Sequence, residues 1–371
     1  MERDSQKLDT AHPESQGPEA PAGDVPGPPE PNGNRILRRI IPSPSQGIDD
    51  PEALRRAARR RAFIGSIGVP IMGIVIIAVF AVVAENFLSG GNIKNIFAEA
   101  ALPMMVAVGL TICLAMGEFD LSLNGVAGVA TVLVAVLVSR DEVGAVPAVL
   151  IVLGVGLSVG LLNGVLVGYF GVTALIVTIA VNSILNGWQF VITDSSQVFG
   201  NFPPGFVDFA RGDLLGIPNL VLVAAAVVVA VWVLLERTTL GRQIRAVGGN
   251  AEAARIAGVN TARVKVAGFM TCSLLAALAG LLFAGKQSSA LPLNGLDVLL
   301  PSFAACFIGA AMFKLGEFNV PGTVVGVMIT QIMTNGLTLM NVPTYASYFL
   351  QGAILLVALL FARAVAGRRT A

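Results

Sequence analysis

From residue 63 onward the chain is a succession of apolar runs: 63–84, 98–116, 121–138, 145–167, 171–192, 214–235, 264–284, 297–313, 320–340 and 345–362. About 20 apolar residues of helix cross a bilayer, and lipid leaves no other open backbone structure satisfied. The runs therefore predict an all-α, polytopic membrane protein with about ten transmembrane helices. Only 13% of the 371 residues are charged, about half the share of a soluble globular chain. The second, third and eighth runs are the weakest, so some helices are expected to be broken or re-entrant. The only histidine, His12, lies in a polar segment, which excludes a Ser-His-Asp triad or a histidine-bearing metal site in the membrane. Cys113, Cys272 and Cys306 are isolated in apolar runs without a CxxC. They read as small core hydrophobes, and no metal is expected.

Residues 1–52 hold ten of the twenty prolines and read as a disordered cytoplasmic tail. Residues 53–62 form a basic juxtamembrane helix, with five arginines between Arg55 and Arg61 directly before the first apolar run. The transmembrane domain covers 63–362, and 363–371 is a short C-terminal tail. With the N-terminus in the cytoplasm, only Lys94, Arg140, Arg211 and Lys286 of the 24 basic residues fall outside. Positive charge concentrates on the cytoplasmic side of membrane proteins, so both termini and the 236–263 loop are expected there. Trp188 and Trp232 fall near run ends, as interfacial aromatics do.

A weak internal repeat relates Gly117-Glu118-Phe119-Asp120-Leu121-Ser122-Leu123-Asn124-Gly125 to Gly316-Glu317-Phe318-Asn319-Val320-Pro321-Gly322. Each copy interrupts two apolar runs, and paired interruptions in two halves of a transporter point to its substrate path. Ionisable groups within a membrane are costly and usually have a partner or a function. Glu118 and Asp120 occupy the first interruption and are the strongest such candidates. Glu99, Asp297 and Glu317 sit at run ends and read first as interfacial. Ser122, Asn124, Asn163, Asn182, Asn186, Gln189, Gln331 and Asn335 read either as interhelical hydrogen-bonders or as groups facing a neutral polyhydroxylated solute.

The 236–263 loop carries the signs of a short capped helix. Asn250 suits the N-cap, Glu252 the first turn and Gly258 the C′ position. On these residues alone, a helix lying on lipid headgroups and a helix docking on a cytoplasmic partner are equally supported. Gly280 to Gln287 nearly spells a phosphate-binding loop, but it lacks the Ser or Thr and ends an apolar run. Leu88-Ser89-Gly90-Gly91-Asn92 imitates an ATPase signature, yet the charge count places it outside. Neither is read as a nucleotide site, so any ATP acts through another chain.

Four motifs occur in order: Phe87-Leu88-Ser89-Gly90-Gly91-Asn92-Ile93-Lys94-Asn95-Ile96, Gly117 to Ser122, Gly160-Leu161-Leu162-Asn163-Gly164 with Ala174 to Thr178, and the Gly241–Lys265 loop. Together they resemble the permease subunits of bacterial ABC importers for ribose, xylose and related simple sugars, within the superfamily that includes branched-chain amino acid permeases. The resemblance covers about 63–362. It implies a bacterial inner-membrane permease subunit that imports a sugar without being an enzyme and without a cofactor of its own. Partners implied are a cytoplasmic ABC ATPase that binds ATP and Mg, an extracytoplasmic solute-binding protein and a homodimeric or paired permease. Membrane lipid surrounds it, and no nucleic acid is expected. The resemblance makes Asn250, Glu252, Ala253, Ala254 and Gly258 the coupling helix that seats in the ATPase. The substrate path is expected at Glu118, Asp120, Ser122, Asn124, Asn163 and Asn335. Glu118 stands where the family has Gly, and Glu317 lies in a usually uncharged turn. The rival reading is an ion-coupled secondary transporter with Glu118 and Asp120 as its ion site. An intramembrane enzyme would need a carboxylate pair or Ser-Lys chemistry, and Lys286 and Lys314 both sit at run ends.

Overall fold

The computed structural model describes residues 70–139, 143–199, 202–293, 298–313, 316–343, 345–349, 352, 353 and 356. The expected segments 1–52, 53–62 and 363–371, Lys314 and most of the tenth run lie outside those residues. The described residues are predominantly helical, as the apolar runs require. In chain order the helices are α1 (Pro70–Val83), α2 (Gly90–Ala115), α3 (Leu123–Ser139), α4 (Ala145–Gly168), α5 (Ala174–Thr193), α6 (Pro204–Arg211) and α7 (Asn219–Arg237). There follow α8 (Thr239–Gly249), α9 (Ala251–Ile256), α10 (Thr261–Gln287), α11 (Leu299–Ala310) and α12 (Val320–Leu339). Four two-residue strands pair antiparallel: β1 (Val198–Phe199) with β4 (Ser289–Ala290), and β2 (Asp213–Leu214) with β3 (Ile217–Pro218).

Among the described residues, six helices are long and apolar enough to cross a membrane: α2, α4, α5, α7, α10 and α12. The eighth run is shorter as a helix than as a hydrophobic stretch. α11 has 12 residues and rises about 18 Å, well short of a hydrocarbon core about 30 Å thick. Conversely, α2 begins eight residues before its apolar run. Ser89 Oγ accepts a hydrogen bond from Asn92 N and caps the polar first turn, a start signal that hydropathy does not register.

α2 and α10 are buried along most of their length, whereas α4, α5 and α7 carry exposed apolar residues such as Leu150, Leu161, Ile176 and Val229. Between membrane helices, association depends on close van der Waals approach rather than on excluding water. Glycine supplies that approach. A Cβ added at Gly156, Gly160 or Gly164 of α4 would stand 2.5 Å from Ala277 Cβ, 2.6 Å from Met270 Cα and 2.5 Å from Val266 Cα. These glycines recur every four residues, so they form one face that meets α10 backbone to backbone. The α11–α12 pair uses the same device, with Gly309 against Gly322 and Gly326 against Ala305.

The glycine face sets a clear expectation for stability. Gly160→Val should destabilise the purified protein by roughly 1–3 kcal/mol, the usual size of overpacking. Gly154→Ala, where an added Cβ meets nothing within 4 Å, should be neutral. Thermal unfolding in detergent, followed by loss of the monodisperse gel-filtration peak, reads both. Equal midpoints for the two variants would remove the α4–α10 contact from the packing account.

Candidate functional site

The first interruption, residues 116–122, starts where α2 runs out. Gly117 takes φ +81°, and Glu118 N donates back to Cys113 O at 3.0 Å. The reversal needs a residue tolerant of positive φ, and glycine is that residue. Asp120 then folds inward and is fully buried. Its Oδ1 accepts from Ser122 N at 2.9 Å and from Ser122 Oγ at 2.6 Å. Ser122 Oγ accepts in turn from Asn163 Nδ2 of α4 at 2.9 Å. Asn182 Oδ1 of α5 accepts from Gly125 N at 2.9 Å, satisfying a backbone donor in the first turn of α3 from a neighbouring helix. Asp120 Oδ2, Asn124 Oδ1 and Asn163 Oδ1 are buried without a hydrogen-bond partner.

The second interruption repeats the first. Gly316 takes φ +77°, and Asn319 Oδ1 accepts from Gly322 N at 2.8 Å to cap α12. Glu118 and Glu317, equivalent in the repeat, both find cations from the same segment of chain. Lys265 Nζ of α10 meets Glu118 Oε1 at 2.5 Å, and the guanidinium of Arg245 in α8 stands 3.7 Å from Glu317 while also pairing with Glu236. The phenylalanines correspond too. Phe119 stacks on Phe303 and Phe318 meets Phe307 edge-on, one helical turn apart on α11. A buried hydroxyl contact ties the halves together, with Thr111 Oγ1 of α2 2.7 Å from Thr323 Oγ1 of α12.

α8 lies against both interruptions, and α9 follows it in the chain. Ile244 and Val247 bury one face of α8. Gly248 lies directly against Ala115 O, so no Cβ fits there. Three caps articulate the segment: Thr238 Oγ1 accepts from Gly241 N, Asn250 Oδ1 from Ala253 N and Asn260 Oδ1 from Arg263 N. α9 therefore starts where the sequence places it, and Gly258 takes φ +85° at its end. Glu252, Ala253, Arg255, Ile256 and Ala257 are exposed, Ile256 to 80%. Ala254 is instead buried within the chain at 6% exposure, so it does not share the outward face.

Glu118, Asp120, Ser122, Asn124 and Asn163 thus gather around the first interruption. Asn335 does not join them. It pairs both amide groups with Asn92 at 2.9 and 3.0 Å, near the start of α2 and about 36 Å of helix from Met116. Asp120, Ser122 and Asn163 are closed to solvent in this conformation. Sequence reading missed Lys265 and Arg245 as partners, because nothing local links them to Glu118 and Glu317. It also left the cysteines as core residues, whereas the thiols of Cys113 and Cys272 and a carboxylate oxygen of Asp120 all lie within 4.8 Å of one another.

Residues 92–359 match the family model described as branched-chain amino acid transport system / permease component. The chain is similar to the ribose import permease of Escherichia coli K12, at 33% identity over 77% of this chain and 90% of the relative. It is 32% identical to the L-arabinose transport system permease of the same strain, over 80% and 90%. Identity to the ribose import permease of Bacillus subtilis 168 is 32% over 79% and 92%. No solved structure matches.

The two latched glutamates yield a double-mutant test. Lys265→Ala and Glu118→Ala should each lower thermal stability, and Glu118→Lys with Lys265→Glu should recover part of the loss. A coupling energy of roughly 1 kcal/mol is expected for a pair of this partial exposure. Strictly additive losses would mean the pair carries no stability.

Proposed function

Since the chain belongs to the branched-chain amino acid transport permease family, we propose that it is the membrane-spanning subunit of an ATP-driven importer of a simple sugar. Similarity to ribose and arabinose permeases over most of each relative's length carries this reading. Both are polyhydroxylated pentoses, matched by amide and hydroxyl groups rather than by buried cations. The chain is a transport subunit of the bacterial inner membrane, with α8 and α9 facing the cytoplasm. Arg237, Arg242, Arg245, Arg255, Arg263 and Lys265 cluster at that end, as the positive-inside rule favours. ATP and Mg bind a separate ATPase chain, and an extracytoplasmic binding protein delivers the solute to a paired permease.

α9 is the element that seats in the ATPase. It is capped at both ends, and it offers an exposed Ile256 beside a Glu252–Arg255 ion pair. Ala254 holds α9 against its own chain, so a partner would meet Glu252, Ala253, Arg255, Ile256 and Ala257. Gly258 lets the chain turn away. ATP-driven changes in the partner bias two permease states only through contacts that differ between those states. The Asp120–Ser122–Asn163 chain and Asn124 wall the substrate path at its α8 end, and the Asn92–Asn335 pair belongs to the opposite end. The ion-coupled rival is weaker because Glu118, one of its two ion-site residues, is already paired with Lys265.

Gly258→Val and Ile256→Asp should reduce co-purification with the cognate ATPase and lower ATP-dependent uptake in proteoliposomes by roughly tenfold, equivalent to ~1.4 kcal/mol of coupling. Membrane insertion should be unchanged. Wild-type binding and uptake in both variants would remove α9 from the coupling path. Orientation is tested separately with single cysteines at Ser196 and Ala257, both exposed. An impermeant thiol reagent on intact cells should label Ser196→Cys alone. Labelling of Ala257→Cys instead would invert the topology.

A further inference from the structure

We infer that Cys113, Cys272 and Asp120 form a binding site for a soft divalent cation of the Zn2+ class at the first interruption. Three elements distant in sequence bring the ligands together: the last turn of α2, the 116–122 link and the middle of α10. All three side chains are fully buried, and their ligand atoms lie within 4.8 Å of one another.

The state of Asp120 is the second observation. Ser122 occupies Oδ1 with two donors, leaving Oδ2 buried and unpartnered. A carboxylate removed from water needs compensating charge or further hydrogen bonds. Lys265, which meets the neighbouring Glu118 of the same interruption, is committed to that carboxylate at 2.5 Å. Among the described residues no ion pair reaches Asp120. A divalent cation between Oδ2 and the two sulfurs would give the carboxylate a direct partner, the two thiols releasing their protons to solvent on binding, and Ser122 fixes which oxygen faces it, as hydrogen-bonded partners of metal ligands do.

The donor set selects the ion. Two sulfurs and one carboxylate oxygen suit Zn2+, whose bonds of about 2.3 Å to sulfur place tetrahedral ligands a little under 4 Å apart. Binding would have to draw the three ligand atoms in from the observed spread to that spacing. Ca2+ and Mg2+ require oxygen shells and are disfavoured by the thiols. Asn163 Oδ1 is also buried and unpartnered, and its Nδ2 donates to Ser122 Oγ, so it borders the network that holds Asp120. Cys306 is engaged elsewhere, with its Sγ donating to Ala107 O at 3.3 Å. Such an ion would tie α2, the interruption and α10 into one unit.

The test uses the full chain purified in detergent, stripped with chelator and re-equilibrated with Zn2+ or Co2+ alone. Mass spectrometry for metal should find a single Zn2+ per chain. Co2+ should give the absorption of thiolate ligands in tetrahedral geometry. Cys113→Ser with Cys272→Ser should abolish both signals, Asp120→Asn should weaken binding by roughly tenfold or more, and Cys306→Ser should leave it intact. Should the double variant lose its monodisperse state, alkylation of the wild-type chain replaces it: Zn2+ should protect Cys113 and Cys272, and not Cys306, as the protein is unfolded. A wild-type chain that takes up no Zn2+, metal retained by the folded double variant, or equal protection of all three thiols would overturn the site.

Discussion

Lipid gives a free backbone N–H or C=O no partner, so every place where a membrane helix stops must be covered by protein or reach water. This chain stops twice near the same end, after α2 and after α11. Positive-φ glycines turn the chain at both places, and Asp120 and Asn319 supply side-chain acceptors to the next helix. What remains is roofed by α8, whose Gly248 lies on Ala115 O. The polar content of the fold is concentrated where helices break rather than along their walls.

The glycine contacts follow from the same solvent. Leu side chains gain little by leaving lipid for one another, so helices that must hold together do so by bringing backbones close. α4 spends its glycines on α10, and α11 spends Gly309 on α12. Two helix pairs result, joined through α2, where Thr111 contacts Thr323 and Cys306 Sγ donates to Ala107 O. α3 adds a further join to α10 through Thr131 Oγ1, which donates to Gly280 O at 2.9 Å.

Much of this was legible in the sequence. Run lengths located the helices, and Asn250 and Gly258 marked α9 because capping is local chemistry that a few adjacent residues fully state. The length of α11 was not legible, since apolar composition over 297–313 does not say where the backbone begins to coil. The inward turn of Ala254 escaped for a related reason: a two-turn helix of small residues has no apolar face strong enough to betray its buried side. Lys265 with Glu118, Asn92 with Asn335, and Cys113 with Cys272 escaped because each pairing joins distant segments. Only the packing of α2 against α10 and α12 brings them together.

The repeat gains its meaning from these long-range pairings. Glu118 and Glu317 are latched by Lys265 and Arg245, which flank α9 on either side in the chain. Phe119 and Phe318 rest on successive turns of α11. One short helix therefore lies between the only two ion-pair anchors that reach the paired interruptions among the described residues. α8 reaches both interruptions, touching the end of α2 at Gly248 and the second interruption through Arg245. Caps at Thr238, Asn250 and Asn260 keep α8, α9 and the start of α10 separate helices. The two carboxylates therefore tie the stretch of chain from Arg245 to Lys265 to both interruptions at once.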